Sequence, residues 1–224
     1  MERVLENLAQ SSVLAKLSEH EMSSLSQWAV QRHFEKGEYV AHYGEVWPYL
    51  AVINSGVIKV VKFSPDGRCL GSLSLQPKDE FWSPSLFDGG PLPGALEVRK
   101  ASSIFLWHRD HILPIVQKNN RALWELNLLL MQRIRRASSF IEELTFYSVS
   151  GRLARLLLSQ FEDTDSDLIT RNLSLDEMGA MIGTTPVMVC KQLYRFAEEE
   201  LIKVSRTEFQ LINHEGLAEI AGTR

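Results

Sequence analysis

The chain has 224 residues, little cysteine and no long hydrophobic run. Two cysteines, Cys69 and Cys190, cannot build a disulfide framework, so a reducing cytoplasm is the expected compartment. They also exclude a four-cysteine iron–sulfur cluster within one chain. No apolar stretch approaches the length that spans a bilayer, and no membrane partner is expected. The N-terminal MERVLENLAQSS carries acidic residues and lacks the apolar centre of a secretory leader. Basic residues are outnumbered: 24 Lys and Arg against 28 Asp and Glu leave a net charge of −4. That excludes a global pull on nucleic acid, so any DNA contact must come from a local patch. A glycine-rich phosphate loop, a nucleophile elbow, zinc-spaced cysteines and a cupin-like His-x-His set with glutamate are all missing. An enzyme is therefore not expected.

What is present is a core-forming composition, 45% hydrophobic and 23% charged, whose pattern changes twice along the chain. From about Phe34 to Trp107, short apolar runs such as YLAVI (Tyr49–Ile53), VIKVVKF (Val57–Phe63) and SIFLW (Ser103–Trp107) alternate with turn signals. These include Lys36-Gly37, Ser55-Gly56, Pro65-Asp66-Gly67 and Asp88-Gly89-Gly90. Many short strands argue for a closed roll, which hides sheet edges. Leu5, Leu8, Leu14, Leu17 and Leu25 predict helices that cover it. From about Lys118 to Tyr147 neither Gly nor Pro occurs. Leu123, Leu126, Leu130, Ile134, Ala137, Ile141 and Leu144 recur every three or four residues along one helical stripe. At 1.5 Å per residue, roughly 30 residues reach about 45 Å, longer than a small roll needs. The stripe is read as a seam against a second copy, and packing on the chain's own roll is the alternative. Arg133, Arg135 and Arg136 read as a solvated face. The fold class is α+β, in three parts: a roll with helical cap over 1–117, a long helix over 118–147 and a C-terminal domain over 148–224.

The C-terminal domain carries the most specific pattern. RLARLLLSQF (Arg152–Phe161) is its first helix and EDTDSD (Glu162–Asp167) an acidic loop. Ser174 with Glu177 three residues on forms a capping box. Gly183 stops that helix, Thr184 or Thr185 caps the next, and Pro186 suits its first position. Val189, Leu193 and Phe196 face inward, whereas Val187, Cys190, Lys191 and Tyr194 face outward. LIKVSRTEFQLI (Leu201–Ile212) alternates like a two-stranded wing. Cap, glycine turn, second cap, buried triad and wing occur in the order of a winged helix-turn-helix. A helical hairpin that makes protein contacts only is the alternative reading.

On SVSGRLARLLL (Ser148–Leu158), LSLDEMGAMIGTT (Leu173–Thr185) and EEELIKVSR (Glu198–Arg206), together with the glycine-punctuated roll, the chain resembles the Crp/Fnr-type transcriptional regulators over nearly its full length. The resemblance implies an effector-binding β-roll, a homodimer through the long helix, and a reading helix in the major groove of double-stranded DNA. It adds RNA polymerase as a further partner.

Two segments depart from that family. Members that bind cyclic AMP carry Gly-Glu before a Leu-Phe pair, then Arg, Ser or Thr, and Ala. Here Ser83-Pro84 and Pro93-Gly94 stand in those places, and Ala137-Ser138 align with the polar pair that touches the base. The phosphate loses its charge-assisted partner, so cyclic AMP is not expected. Phe81, Trp82, Ser83, Ser85 and Leu86, with Leu92, then line a pocket for another small-molecule effector or fill it; Arg99 and Ser138 are the remaining polar candidates. Heme stays open through His33, His42, Cys69, His108 and His111, although no pair is diagnostic and no metal site is expected. On the reading helix, Glu and Arg of the family are replaced by Val187 and Lys191. Ser174, Thr184, Thr185 and Arg195 are candidate phosphate contacts, and Val187, Cys190 and Lys191 face the bases. From Ser148 onward, eight Lys and Arg stand against twelve Asp and Glu, a local net charge of −4. Weak non-specific binding follows.

Overall fold

Apolar residues on both faces of two long strands organise the N-terminal half. The computed structural model describes residues 2–63, 69–162 and 166–222; the predicted Pro65-Asp66-Gly67 turn and the centre of the acidic loop lie outside them. Helix α1 (Glu2–Gln10), a 3-10 turn (Leu14–Lys16) and α2 (Glu19–Ser26) come first. Ser18 opens α2 with a capping box to Glu21 that matches the one expected at Ser174. These hydrogen bonds from Ser18 hold the Glu21 carboxyl below its usual value.

The roll follows as β1 (Val30–Phe34), β2 (Tyr39–Ala41), β3 (Tyr49–Phe63), β4 (Cys69–Leu75), β5 (Glu80–Trp82), the short helix α3 (Pro84–Asp88) and β6 (Ala95–His108). Among the described residues the sheet runs β1-β6-β3-β4, with β2 also on β6 and β5 on β3. Strands β3 and β6 pair antiparallel from Tyr49↔His108 to Val61↔Ala95, and their register shifts between Ile53 and Ile58. Gly56, at φ +89°, sits in that irregular stretch against Ser102, where a Cβ would overlap the neighbouring strand. Side chains alternate across the pair. Leu50, Val52, Phe105 and Trp107 face a core shared with Leu8, Leu14, Leu25, Ile112 and Val116. Ala51, Ile53, Ile104 and Leu106 face a second core with Trp47, Ile58, Phe81, Leu92, Leu96 and Val98. Burial on both faces explains why YLAVI and SIFLW read as unbroken apolar runs.

Helix α4 (Arg109–Lys118) precedes the long helix α5 (Asn120–Phe146). Asn119 is extended and separates them, and its Oδ1 accepts from the Ala122 amide at 3.0 Å. The long helix therefore starts two residues later than the sequence predicts. Two compact units divide inside it, between Ile134 and Arg135, so it belongs to both units and is not a separate segment.

Two positions of the expected seam pack within the chain itself. Leu126 is buried in the first unit's own core and Leu130 packs against that core. Arg133, expected in solvent, donates to the Glu80 carbonyl at 2.7 Å. Leu144 lies against Gly183 within the second unit and stays 38% exposed. Leu123, Ile134, Ala137 and Ile141 are exposed, as are Leu128 and Met131.

The second unit contains α6 (Val149–Glu162), β7 (Leu168–Thr170), α7 (Leu175–Ile182), α8 (Pro186–Glu198), β8 (Ile202–Val204), β9 (Glu208–Leu211) and α9 (His214–Gly222). Its core gathers Leu153, Leu157, Phe161, Ile169, Met178, Ile182, Val189, Leu193, Phe196, Phe209 and Leu217. The wing is the β8–β9 hairpin; β7 adds a third strand on β9. Helix α8 ends in a Schellman arrangement: the Leu201 amide donates to Phe196 O at 2.9 Å and that of Glu200 to Ala197 O at 3.2 Å. Glu200 takes the left-handed position, at φ +55°, that glycine usually fills.

Candidate nucleic-acid interface

The turn between α7 and α8 presents the reading helix. Ser174 accepts from the Glu177 amide at 3.2 Å, and its own amide donates to Glu177 Oε2 at 3.0 Å. Gly183 closes α7 at φ +67°. Thr185 caps α8 by accepting from the Met188 amide at 3.3 Å, with Pro186 next. Gly179 matters for closeness: a Cβ there would lie 2.9 Å from Thr184 O and 3.3 Å from Pro186 N. Both atoms are backbone of the turn, so the missing side chain at Gly179 lets the turn pack directly on α7. Gly179→Ala is expected to cost about 1–3 kcal/mol of stability, as overpacking does. Urea unfolding checks this, and an unchanged midpoint would show that the turn has room to shift.

The outward face matches the sequence pattern in part. Val187 is 75% exposed and Tyr194 69% exposed, and Lys191 is exposed beside them. Thr184, Thr185 and Cys190 are half-buried. Ser174 is a weaker phosphate candidate than its position suggested, because its hydroxyl is committed to Glu177 in both directions. Arg195 is held by Glu199 at 2.7 Å, so a phosphate must compete for it.

Several of the domain's cations work inside the fold. Arg152 is only 8% exposed. Its Nε donates to Ile182 O and its Nη1 to Tyr147 O, each at 2.7 Å. Burial pushes its pKa down, and Glu143 opposes that shift. Arg155 lies 3.9 Å over the Tyr147 ring and donates to Ala221 O at 3.0 Å. Arg171 lies over Phe209. Lys191 on α8 and Lys203 and Arg206 on the wing are exposed and remain the cations most open to DNA.

The roll's candidate pocket residues are core. Ser83, Ser85 and Leu86 are fully buried, and Phe81, Trp82 and Leu92 nearly so. Ser83 opens α3 with Pro84 at its first position, a start signal that was legible and missed. The Ser83 hydroxyl donates to Trp47 O at 2.8 Å and that of Ser85 to Gly90 O. Trp82 Nε1 donates to the buried Glu80 carboxylate at 2.7 Å. Arg99 pairs with Glu97 at 2.9 Å. The Ser83 and Ser85 hydroxyls thus face backbone carbonyls, and the charge of Arg99 is met by Glu97. Ser138 is exposed in the second unit, whereas the other candidates lie in the first.

His33 and His42 are exposed. His108 caps α4, its Nδ1 accepting from the Asp110 amide, and His111 stacks on Trp28 with centroids 4.0 Å apart. Among the described residues no group of three His, Cys, Asp or Glu side chains converges as metal ligands. No helix there is long and apolar enough to cross a membrane.

A β-roll, a long helix and a winged helix-turn-helix with an outward reading helix define a DNA-binding regulator. Residues 31–119 match the model of the cyclic nucleotide-binding domain and residues 151–220 that of the Crp-like helix-turn-helix domain. A CRP-like cAMP-activated global transcriptional regulator of Mycobacterium tuberculosis is 27% identical over 222 residues, covering 95% of this chain and 97% of the relative. The c-di-GMP responsive global regulator CLP of Xanthomonas campestris aligns with a TM-score of 0.74 at 16% identity, covering 87% of this chain and 99% of that one. FixK2 of Bradyrhizobium japonicum aligns at 0.68 and 19% identity, covering 88% and 98%. The chain belongs to the Crp/Fnr-type transcriptional regulators.

Proposed function

We propose that this regulator works in the cytoplasm as a homodimer joined through the exposed part of α5, and that it reads a two-fold related DNA site without using cyclic AMP or catalysing any reaction. The observation that carries the reading is the face of α8, where Val187, Lys191 and Tyr194 stand out from a helix held by three buried residues. Two such helices on a two-fold axis match half-sites about 34–36 Å apart, or a multiple of that. RNA polymerase is the partner such a dimer would meet at a promoter. The regulator is either constitutive or answers an effector unlike a cyclic nucleotide.

The Mycobacterium relative is named as cAMP-activated. This chain departs from it in function because Ser83, Ser85 and Arg99 are already satisfied within the protein. Cyclic AMP at millimolar concentration is therefore expected to leave the thermal midpoint and operator affinity unchanged. A ligand binding only the native state would raise stability by about 2.7 kcal/mol at a hundredfold excess over its Kd, so a clear upward shift overturns the proposal. Selection from a random DNA pool tests the DNA reading, and failure to enrich any sequence would favour protein contacts instead.

Salt dependence tests the count of cations. Lys191, Lys203 and Arg206 on each subunit, at one phosphate each, correspond to about six phosphates per dimer, hence a slope near −5 in log K against log salt. A slope near −10 would mean that Arg195 and others join in.

A further inference from the structure

We infer that Arg152 is a positioning residue for DNA binding: it locks the end of the long helix to the turn before the reading helix and so sets the half-site spacing the dimer accepts. The inference rests on the dimer proposed above.

The geometry is a joint made by three side chains, those of Arg152, Leu144 and Arg155. Tyr147 directly follows α5, and Ile182 is the last residue of α7. Both carbonyls lie at helix C-terminal ends, where oxygens lack partners within the helix and favour a cation. The fork of Arg152 serves both, one nitrogen each, at 2.7 Å. At 8% exposure, water replaces neither bond easily. Leu144, on the last turns of α5, rests against Gly183, where a Cβ would overlap it. Arg155 covers the Tyr147 ring at 3.9 Å.

Residues 182 to 186 lead straight into α8. A tilt of the last turn of α5 against them must therefore displace the start of the reading helix or break the joint. In a dimer held by α5, the separation and tilt of two reading helices follow from this joint. A lysine cannot reproduce it, because one ammonium lacks the planar fork that reaches two carbonyls in different directions.

The test uses the full chain, with Arg152→Lys and Leu144→Ala. The second variant leaves no buried charge unpaired, so it reports even if the first folds poorly. A DNA library carries the selected half-sites at every spacing across one helical turn. Sedimentation, thermal unfolding and affinity for an isolated half-site are measured alongside. The wild type is expected to prefer one spacing by about tenfold over its neighbours. Both variants should stay dimeric and keep half-site affinity, yet spread over adjacent spacings with preferences under about threefold. A sharp, unchanged spacing preference in both variants, even with lower stability, would reduce Arg152 to a structural role and overturn the inference. A dimeric wild type without spacing preference overturns it equally. A monomeric wild type shows in sedimentation and removes the dimer reading first, and this inference with it.

Discussion

The double variant Val187→Glu, Lys191→Arg is expected to select a different operator from the wild type, with G·C pairs enriched at the steps facing the start of α8. The two positions are four apart and so share one helix face. Val187 offers only methyl groups, 75% exposed, which suit the methyl of thymine; Lys191 offers a point charge. Glutamate accepts from the amino group of cytosine, and arginine forks onto guanine. Each such contact is worth about 1–3 kcal/mol of discrimination, roughly 5- to 150-fold per base. Stability should not move, because neither side chain belongs to the core. Glutamate alone brings a negative charge toward phosphates, so the single Val187→Glu variant should bind more weakly on every sequence. Parallel selections with both proteins decide the matter, and identical enriched half-sites would mean that α8 does not face the bases.

Breaking the exposed side of α5 should have an effect as large. Ile134 is 58% and Ile141 64% exposed, on a helix whose Leu126 is already used in the first unit's own core. Ile134→Asp with Ile141→Asp is expected to yield a folded monomer, since a dimer seam would have to desolvate two carboxylates per subunit. Operator affinity should then fall by about 10²–10⁴, the loss of the effective concentration that joins two reading helices. Affinity for an isolated half-site should persist. Leu126→Asp serves as the contrast: Leu126 is 3% exposed in the first unit's own core, so that change should unfold the unit. A dimer that survives both aspartates would place the subunit contact elsewhere.

The two long α5 findings illustrate what a sequence pattern resolves. Three-and-four spacing located the helix but not which partner each face meets, because Leu126 on its own roll and Ile134 in solvent have the same periodicity. The helix-turn-helix was legible because its signals are local: Ser174 with Glu177, Gly183, Thr185 and Pro186 act within one turn of chain. The same local box at Ser18 and Glu21 went unread, as did Ser83-Pro84 at the start of α3. Strand β7 was hidden in an acidic stretch of only a few apolar residues, and α9 between glycines. The burial of Arg152 was not legible, since it depends on distant carbonyls that no spacing reveals. In the roll, Phe81 and Trp82 are adjacent in sequence but enter separate cores, a consequence of strand alternation.

Helix α8 keeps two sets of residues apart. Val189, Leu193 and Phe196 hold it in place, and Val187, Lys191 and Tyr194 touch nothing in the core. Substitutions on the outer set change surface only, where effects on stability usually stay within about 0.5 kcal/mol. Operator preference can therefore drift through single substitutions without passing through unfolded intermediates. The cost of such drift falls on the binding sites in DNA, which must change in step, and not on the protein.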